Sequence, residues 1–344
     1  MPARTLLSCT LAASLCLAFH ARAGTYEVNL YSYRQPFLIR PLLDAFTQET
    51  GIGVNVVFAR QGMVEKIQAA GANNPADAVL TVDIGRLDAL QQAELLEPLE
   101  SETLHRHVPA HLRHPQGLWF GLTTRARVVW AHRQRVAPDE VRRLSDLTDP
   151  RFRGRICMRS GKNAYNLGLI AALIAHDGER AAAEWLRGVK ANLARKPQGN
   201  DRAQATAIHA GVCDLALANH YYLGKMATNQ EKPEQQEWAE SLRVVFLDQD
   251  GRGQHLNISG AAAIRTGQNK AGAVRLLEFL AGEEAQRLYA DENFEYPVRE
   301  GVPPHPMLAS WGAFKADELS LEEIARQRAA ASRLVDEVGF DQGP

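Results

Sequence analysis

What this chain lacks narrows its function before what it contains is considered. Only four of its 344 residues are cysteine, and no Cys-x-x-Cys occurs. No His-Glu-x-x-His helix signature is present either, so a zinc site has little support. Neither a Gly-x-Ser-x-Gly elbow nor a phosphate-cradling P-loop is found. Charge of one sign is also missing: 39 Lys and Arg against 40 Asp and Glu leave a net charge of −1. A nucleic-acid binder would carry a basic patch and a high pI. No apolar run reaches the roughly 20 residues that span a bilayer. The histidines are mostly scattered. Their one cluster is His105, His107, His111 and His114, and Pro109 argues against a shared helix face for it.

The N-terminus sets an expected compartment. Arg4, the short apolar run Leu6 to Phe19 and Ala21-Arg22-Ala23 together predict a secretory signal peptide over residues 1–23. Losing Arg4 and Arg22 would shift the net charge to about −3. Cys9 and Cys16 would leave with it, and Cys157 and Cys213 would remain. In an oxidising compartment a disulfide is the default for such a pair, with two buried thiols as the alternative. The remaining length exceeds one typical core, so two lobes are expected.

Along the chain, Glu27 to Ser32, Val54 to Ala59 and Ala78 to Val82 have strand character. Leu42 to Thr50, Val64 to Ala70 and Ile84 to Ala93 have helical spacing. This alternation predicts a mostly parallel sheet with helices on both faces, and ligands outside the carboxyl ends of its strands. Ser32 to Gln35 and Asp83 lie at such ends. Leu118 to Thr124 and Ala126 to His132 are expected as two strands joined near Arg125. A second α/β pattern follows, with strand Arg155 to Met158, helices Ala164 to His176 and Arg180 to Lys190, and an apolar run Val212 to Ala218. Leu256 to Ile264 returns to the first sheet, and Leu319 to Glu337 is an amphipathic helical region. The chain therefore crosses between lobes twice, near 124 and near 250.

The chemistry-bearing stretch is Asn219-His220-Tyr221-Tyr222, followed by Gly224. Neighbouring side chains in a strand point to opposite faces. At a strand end or turn, two consecutive phenols can converge instead. A phenol ionises near pH 10, so only a strong cation draws it into phenolate at neutral pH. Ferric iron is such a cation, and tyrosinate is one of its ligands. The turn Ser160 to Asn163 opens a helix, where free N–H groups hold anions, and Tyr165 stands in the first turn. Arg125 could grip an anion through its two-pronged guanidinium. Taken singly, these residues have commoner explanations: a core and a surface tyrosine, a tyrosine packed on its own helix, an arginine paired at the surface. Asp201 has no partner nameable from sequence.

Together these segments resemble the periplasmic ferric-ion-binding proteins, receptors of bacterial iron ABC importers with the two-lobed type II periplasmic binding-protein fold. The stretches that carry the resemblance are Tyr31-Ser32-Tyr33-Arg34-Gln35-Pro36, Gly121 to Arg127, Asn163-Ala164-Tyr165-Asn166 and Asn219-His220-Tyr221-Tyr222. Asn257-Ile258-Ser259-Gly260 and Tyr296-Pro297-Val298 add to them. The resemblance implies an α/β fold, each lobe a mixed sheet flanked by helices, with a hinge of two crossing strands. Residues 24–124 and 251–302 would form the N-terminal lobe, and 125–250 and 303–344 the C-terminal lobe. Tyr165, Tyr221 and Tyr222 match the family's iron-binding tyrosines. Arg125, with Ser160 beside it, matches the site of a synergistic anion, usually carbonate. Some members add a first-lobe ligand where this chain has Gln35-Pro36. Tyr33, Arg34 and Gln35 are therefore the candidate first-lobe contacts, unless that lobe gives no ligand.

The implied function is Fe³⁺ capture in the periplasm and delivery to an inner-membrane permease with a cytoplasmic ATPase. The carrier would be a monomer, not an enzyme, and would not itself span the membrane. The alternative is a protein of the same fold that binds a small organic anion or phosphonate. A secreted hydrolase would need a nucleophile-and-base signature that the sequence lacks.

Overall fold

The structure is a computed structural model that describes residues 27–344. The expected signal peptide lies outside the described residues. Ten strands are assigned: β1 (Glu27–Ser32), β2 (Gly53–Phe58), β3 (Ala78–Thr81), β4 (Leu96–Glu97), β5 (Phe120–His132), β6 (Ile156–Cys157), β7 (Leu215–Asn219), β8 (Leu242–Val245), β9 (Leu256–Ile264) and β10 (Tyr296–Pro297). Their main path runs β2-β1-β3-β9-β5-β7-β6. β1 pairs in parallel with β2 and β3, while β9 runs antiparallel to β3 and β5. β6 and β7 are parallel, and β7 and β8 pair antiparallel with β5. The sheet is thus mixed and flanked by helices, as expected.

β5 is one continuous strand of 13 residues, not two strands broken near Arg125. Its first half pairs with β9 in one sheet and its second half with β7 and β8 in the other. Every β5 residue is buried. The sequence Thr123-Thr124-Arg125 suggested an interruption because polar residues usually mark an exposed joint. Here they stay in the ladder, the Thr123 hydroxyl donating to Glu295 and Arg125 to the Val82 and Ile258 carbonyls.

Val28 and Leu30 of β1 pack with Leu42 and Phe46 of helix Pro36–Thr50, and with Leu276 and Tyr289. Pro36 does more than end β1. It occupies the first turn of that helix, where its fixed φ and missing N–H cost nothing. The helix stops at Gly51, whose φ of 71° lies in the left-handed region. On the opposite face, Val79 and Leu87 join Leu169, Leu186, Leu334 and Phe340. The two expected helices around residue 178 form one span, Ala164–Ala191, interrupted by Gly178 at φ 84° and ψ 163°. The C-terminal region divides into Leu321–Arg326 and Arg328–Val338. These helices pack on Ala164–Ala191, and the first also packs on Ile84–Gln92.

A third cluster holds Val128 and Trp130 of β5 with Ile208, Leu223 and Met226. Cys157 and Cys213 are bridged there, with Cα atoms 5.9 Å apart. This closes a 56-residue separation between β6 and the approach to β7. Constraining a loop of that length in the unfolded chain is worth about 4 kcal/mol in the chain-entropy description.

Candidate metal centre

The two adjacent tyrosines follow a strand end, as expected. β7 ends at Asn219, and Tyr221 opens the short helix Tyr221–Ala227. His220 anchors the join: the Ala126 N–H donates to its Nδ1 at 3.1 Å, and its ring stacks on Tyr296 at 4.7 Å. Burial pushes His220 down to about 4, so it stands neutral. Gly224 allows the helix to approach Phe294; a Cβ there would lie 2.5 Å from that ring. The Tyr221 and Tyr222 rings lie side by side, centroids 4.2 Å apart and tilted by 35°.

Tyr165 arrives from the first turn of Ala164–Ala191, whose Asn163 cap accepts its backbone N–H at 3.0 Å. Its hydroxyl oxygen is 3.4 Å from that of Tyr221. The three tyrosines line one cavity of about 40 Å³ with Tyr33, Arg34, Gln35, Arg125 and Glu295. A cavity holds a water once it offers roughly 10–15 Å³, so this one suits an ion and one or two small ligands. It lies beyond the carboxyl ends of β1, β3 and β7, as the open-sheet rule anticipates.

Burial holds Tyr221 and Tyr222 protonated. Burial raises Tyr221 well above its ordinary range, and repulsion from Tyr165 and Tyr222 adds to it. Tyr222 is raised for the same first reason, with Tyr165 and then Asp201 contributing. Cations surround them. The guanidinium carbons of Arg125, Arg127 and Arg159 lie 5.4, 5.9 and 5.4 Å from the Tyr165 ring centre. Asp201 neutralises two of these, accepting from Arg127 and Arg159 at 3.0 Å each. It also accepts the Asn219 N–H at 2.9 Å, which fixes the end of β7. Burial would raise its pKa, but Arg127 and then Arg159 more than reverse this and hold it charged.

Most predicted residues converge, but two are used differently. Arg125 lines the cavity, yet one terminal nitrogen donates to the carbonyls of Val82 and, at 2.6 Å, Ile258. Its buried Nε has no hydrogen-bond partner. Ser160 does not line the cavity. Its hydroxyl donates to Asp341, which also accepts the Gly161 N–H at 2.7 Å. Lys162 points to Ser332 and Asp336 of the C-terminal helix. Across the cleft, Arg34 meets Glu295 at 2.6 Å, and both are buried. Sequence reasoning missed Glu295. The only signal was an acid set among aromatics in Phe294-Glu295-Tyr296.

Two sheets sharing β5, with a cleft at their strand ends, define a solute-binding protein of the type II periplasmic class. Residues 73–315 match the family described as bacterial extracellular solute-binding protein. Iron uptake protein A1 of Synechocystis is 42% identical over 315 residues, covering 91% of this chain and 87% of that protein. The apo ferric ion-binding protein A of Pasteurella haemolytica superposes with a TM-score of 0.88 at 47% identity, covering 92% of this chain and 98% of that one. A Trichodesmium protein in complex with iron and citrate ligands gives 0.86 at 42% identity, covering 91% and 99%. The chain belongs to the periplasmic ferric-ion-binding proteins.

Proposed function

We propose that the chain is an exported carrier that binds Fe³⁺ through Tyr165, Tyr221 and Tyr222 and delivers it to an inner-membrane permease driven by an ATPase. The observation that carries this reading is the meeting of three phenols around one small cavity beside Arg125. Three phenolates balance a trivalent ion, and hard oxygen donors suit a hard cation. Among the described residues, no group of three or more His, Cys, Asp or Glu could hold a metal.

Arg125 holds the synergistic anion, most simply carbonate, against the ion. The unpaired Nε of this arginine supports that role. Ser160 contributes less, because its hydroxyl already donates to Asp341. Tyr33 and Gln35 offer first-side contacts, while Arg34 is committed to Glu295. Residues 24–124 and 251–302 act as one lobe, and 125–250 with 303–344 as the other. They close by hinge motion about β5 and the approach to β9. The C-terminal helices contact elements of both lobes, so they would flex with that motion. The carrier works as a monomer in the periplasm and catalyses no reaction.

The test is spectroscopic. Iron-loaded wild type shows a visible phenolate-to-iron charge-transfer band and quenched tyrosine fluorescence. Tyr221→Phe weakens or abolishes both. A colourless wild type after ferric loading would refute the reading.

A further inference from the structure

Behind the hinge strands lies a cavity of about 530 Å³ that shares no lining residue with the tyrosine cavity. Successive side chains of a strand face opposite ways. On β5, Arg125 lines the tyrosine cavity and its neighbour Thr124 lines this one. On β9, Leu256 and Ile258 line it, while Asn257 between them donates to Asp83 at 2.8 Å. Its other walls are His111 and Leu112 on one side and the segment from Lys315 to Ile324 on the other. In the lobe division above, these two walls belong to different lobes.

Leu112, Leu256, Ile258, Leu319, Leu321 and Ile324 give the cavity an apolar lining. Two of its charged groups are already engaged. Asp317 meets the His176 ring at 2.8 Å, and Lys315 donates to the Gly251 carbonyl at 2.8 Å. His255, which lines the cavity just before β9, is different. It is 7% exposed, and neither ring nitrogen has a hydrogen-bond partner among the described residues. Burial pushes it down to about 4 despite attraction from Asp317, so it stands neutral. A neutral imidazole offers one N–H and one lone pair. Buried polar groups left unpaired are rare and costly.

We propose that this cavity is a second binding site, for a small neutral alcohol with an apolar body, and that its occupant couples to lobe closure. The leucine and isoleucine walls take the apolar body. A hydroxyl both donates and accepts, so it can satisfy either nitrogen of His255. An anion is disfavoured, because His255 carries no charge and the Asp317 and Glu318 carboxylates line the same space. The volume falls within the roughly 300–1,000 Å³ of small-molecule pockets. Coupling follows from the walls. Rotation about β5 and β9 moves His111 and Leu112 relative to the segment from Lys315 to Ile324, so an occupant binds the two arrangements unequally. The site does not rest on the ferric reading above; only the readout of its coupling does.

The experiment titrates the iron-free chain with 1-naphthalenemethanol, 1-methylnaphthalene and 1-naphthoate by equilibrium dialysis. The three share a ring system and differ in the polar group. The alcohol binds, and the hydrocarbon and the carboxylate bind at least roughly fivefold more weakly. Leu319→Trp, at a half-buried position in the wall, fills the cavity. It lowers the alcohol's affinity at least roughly tenfold and keeps the iron–phenolate band. His255→Phe, checked for cooperative unfolding, removes the preference for the alcohol over the hydrocarbon. Loading the wild type with Fe³⁺ shifts the alcohol's affinity at least roughly threefold, and the alcohol shifts iron affinity by the same factor. Absence of alcohol binding, carboxylate binding as tight as the alcohol, unchanged affinity in Leu319→Trp, or a retained preference in folded His255→Phe would overturn the site. Equal alcohol affinity with and without bound iron would overturn the coupling. A chain that binds the alcohol as described yet takes up no iron would uphold the site and refute the ferric reading.

Discussion

The two walls of the cleft use their polar side chains in opposite ways. On the β1 wall the charges that line the tyrosine cavity are paired with each other. Arg34 and Glu295 form a buried pair, and Thr123 and Ser259 donate to the same carboxylate. Burial would raise the Glu295 pKa, but Arg34 and then Arg125 hold it below its ordinary range. On the β7 wall the phenols are close to one another, and the charge lies beneath them in Arg127, Asp201 and Arg159. Paired charges are a frame. Neutral phenols under a cationic floor are a reservoir of protons that a metal ion can displace. If the proposed ligand set holds, the difference makes the ligating power of this cleft one-sided.

The comparison breaks or sharpens at three places. The largest effect is expected from pH. Tyr221 and Tyr222 are both protonated below their raised pKa values, and metal binding must expel those protons. Affinity therefore rises with pH and falls on acidification. The protons of Tyr221 and Tyr222 alone correspond to about a hundredfold per pH unit, or roughly 2.7 kcal/mol. Competition with a chelator between pH 5.5 and 7.5 measures the slope, and a slope near zero would remove the phenols from the site.

Next is the floor under the tyrosines. Asp201→Ala leaves Arg127 and Arg159 without their shared counter-ion, which costs about 3–5 kcal/mol of stability. Denaturant unfolding checks it. The folded pKa of Asp201 is depressed, so its contribution is present above the unfolded value and lost as pH falls through the folded one. A loss below 1 kcal/mol would mean that the arginines find other partners.

The smallest effects separate the walls. Tyr222→Phe is expected to cost roughly a hundredfold or more in iron affinity, above the ten- to hundredfold typical of an outer-shell partner. Gln35→Ala on the opposite wall is expected to cost less than about threefold, near the size of one weak neutral hydrogen bond. Equal losses would make the cleft two-sided.

Much of this was legible in the chain. The strand-to-polar junctions at Ser32, Asp83 and Asn219 marked where ligand chemistry would gather, because an open sheet collects ligands at those ends. Tyr165, Tyr221, Tyr222, Arg125 and the Tyr33-to-Gln35 stretch do line one cavity. The details depended on packing. β5 runs unbroken through Arg125 because both halves find ladders, one with β9 and one with β7. Past the expected strand end Tyr221 begins a helix, and Gly224 lets that helix close on Phe294. Ser160 turned toward Asp341 because the C-terminal residues dock beside it, a contact separated by 181 positions.

The linear order of residues alone determined the kinds of group available: phenols instead of thiols, a pair of cysteines, balanced charge and alternating strands and helices. These follow from side-chain chemistry and local periodicity, which act over a few positions. Only the tertiary structure decided which group meets which. Asp201 found two arginines, Glu295 found Arg34, and the hinge strands came to share one cavity with the segment from Lys315 to Ile324. Such encounters join segments far apart in the chain, and their energies depend on burial and distance, which no local pattern encodes.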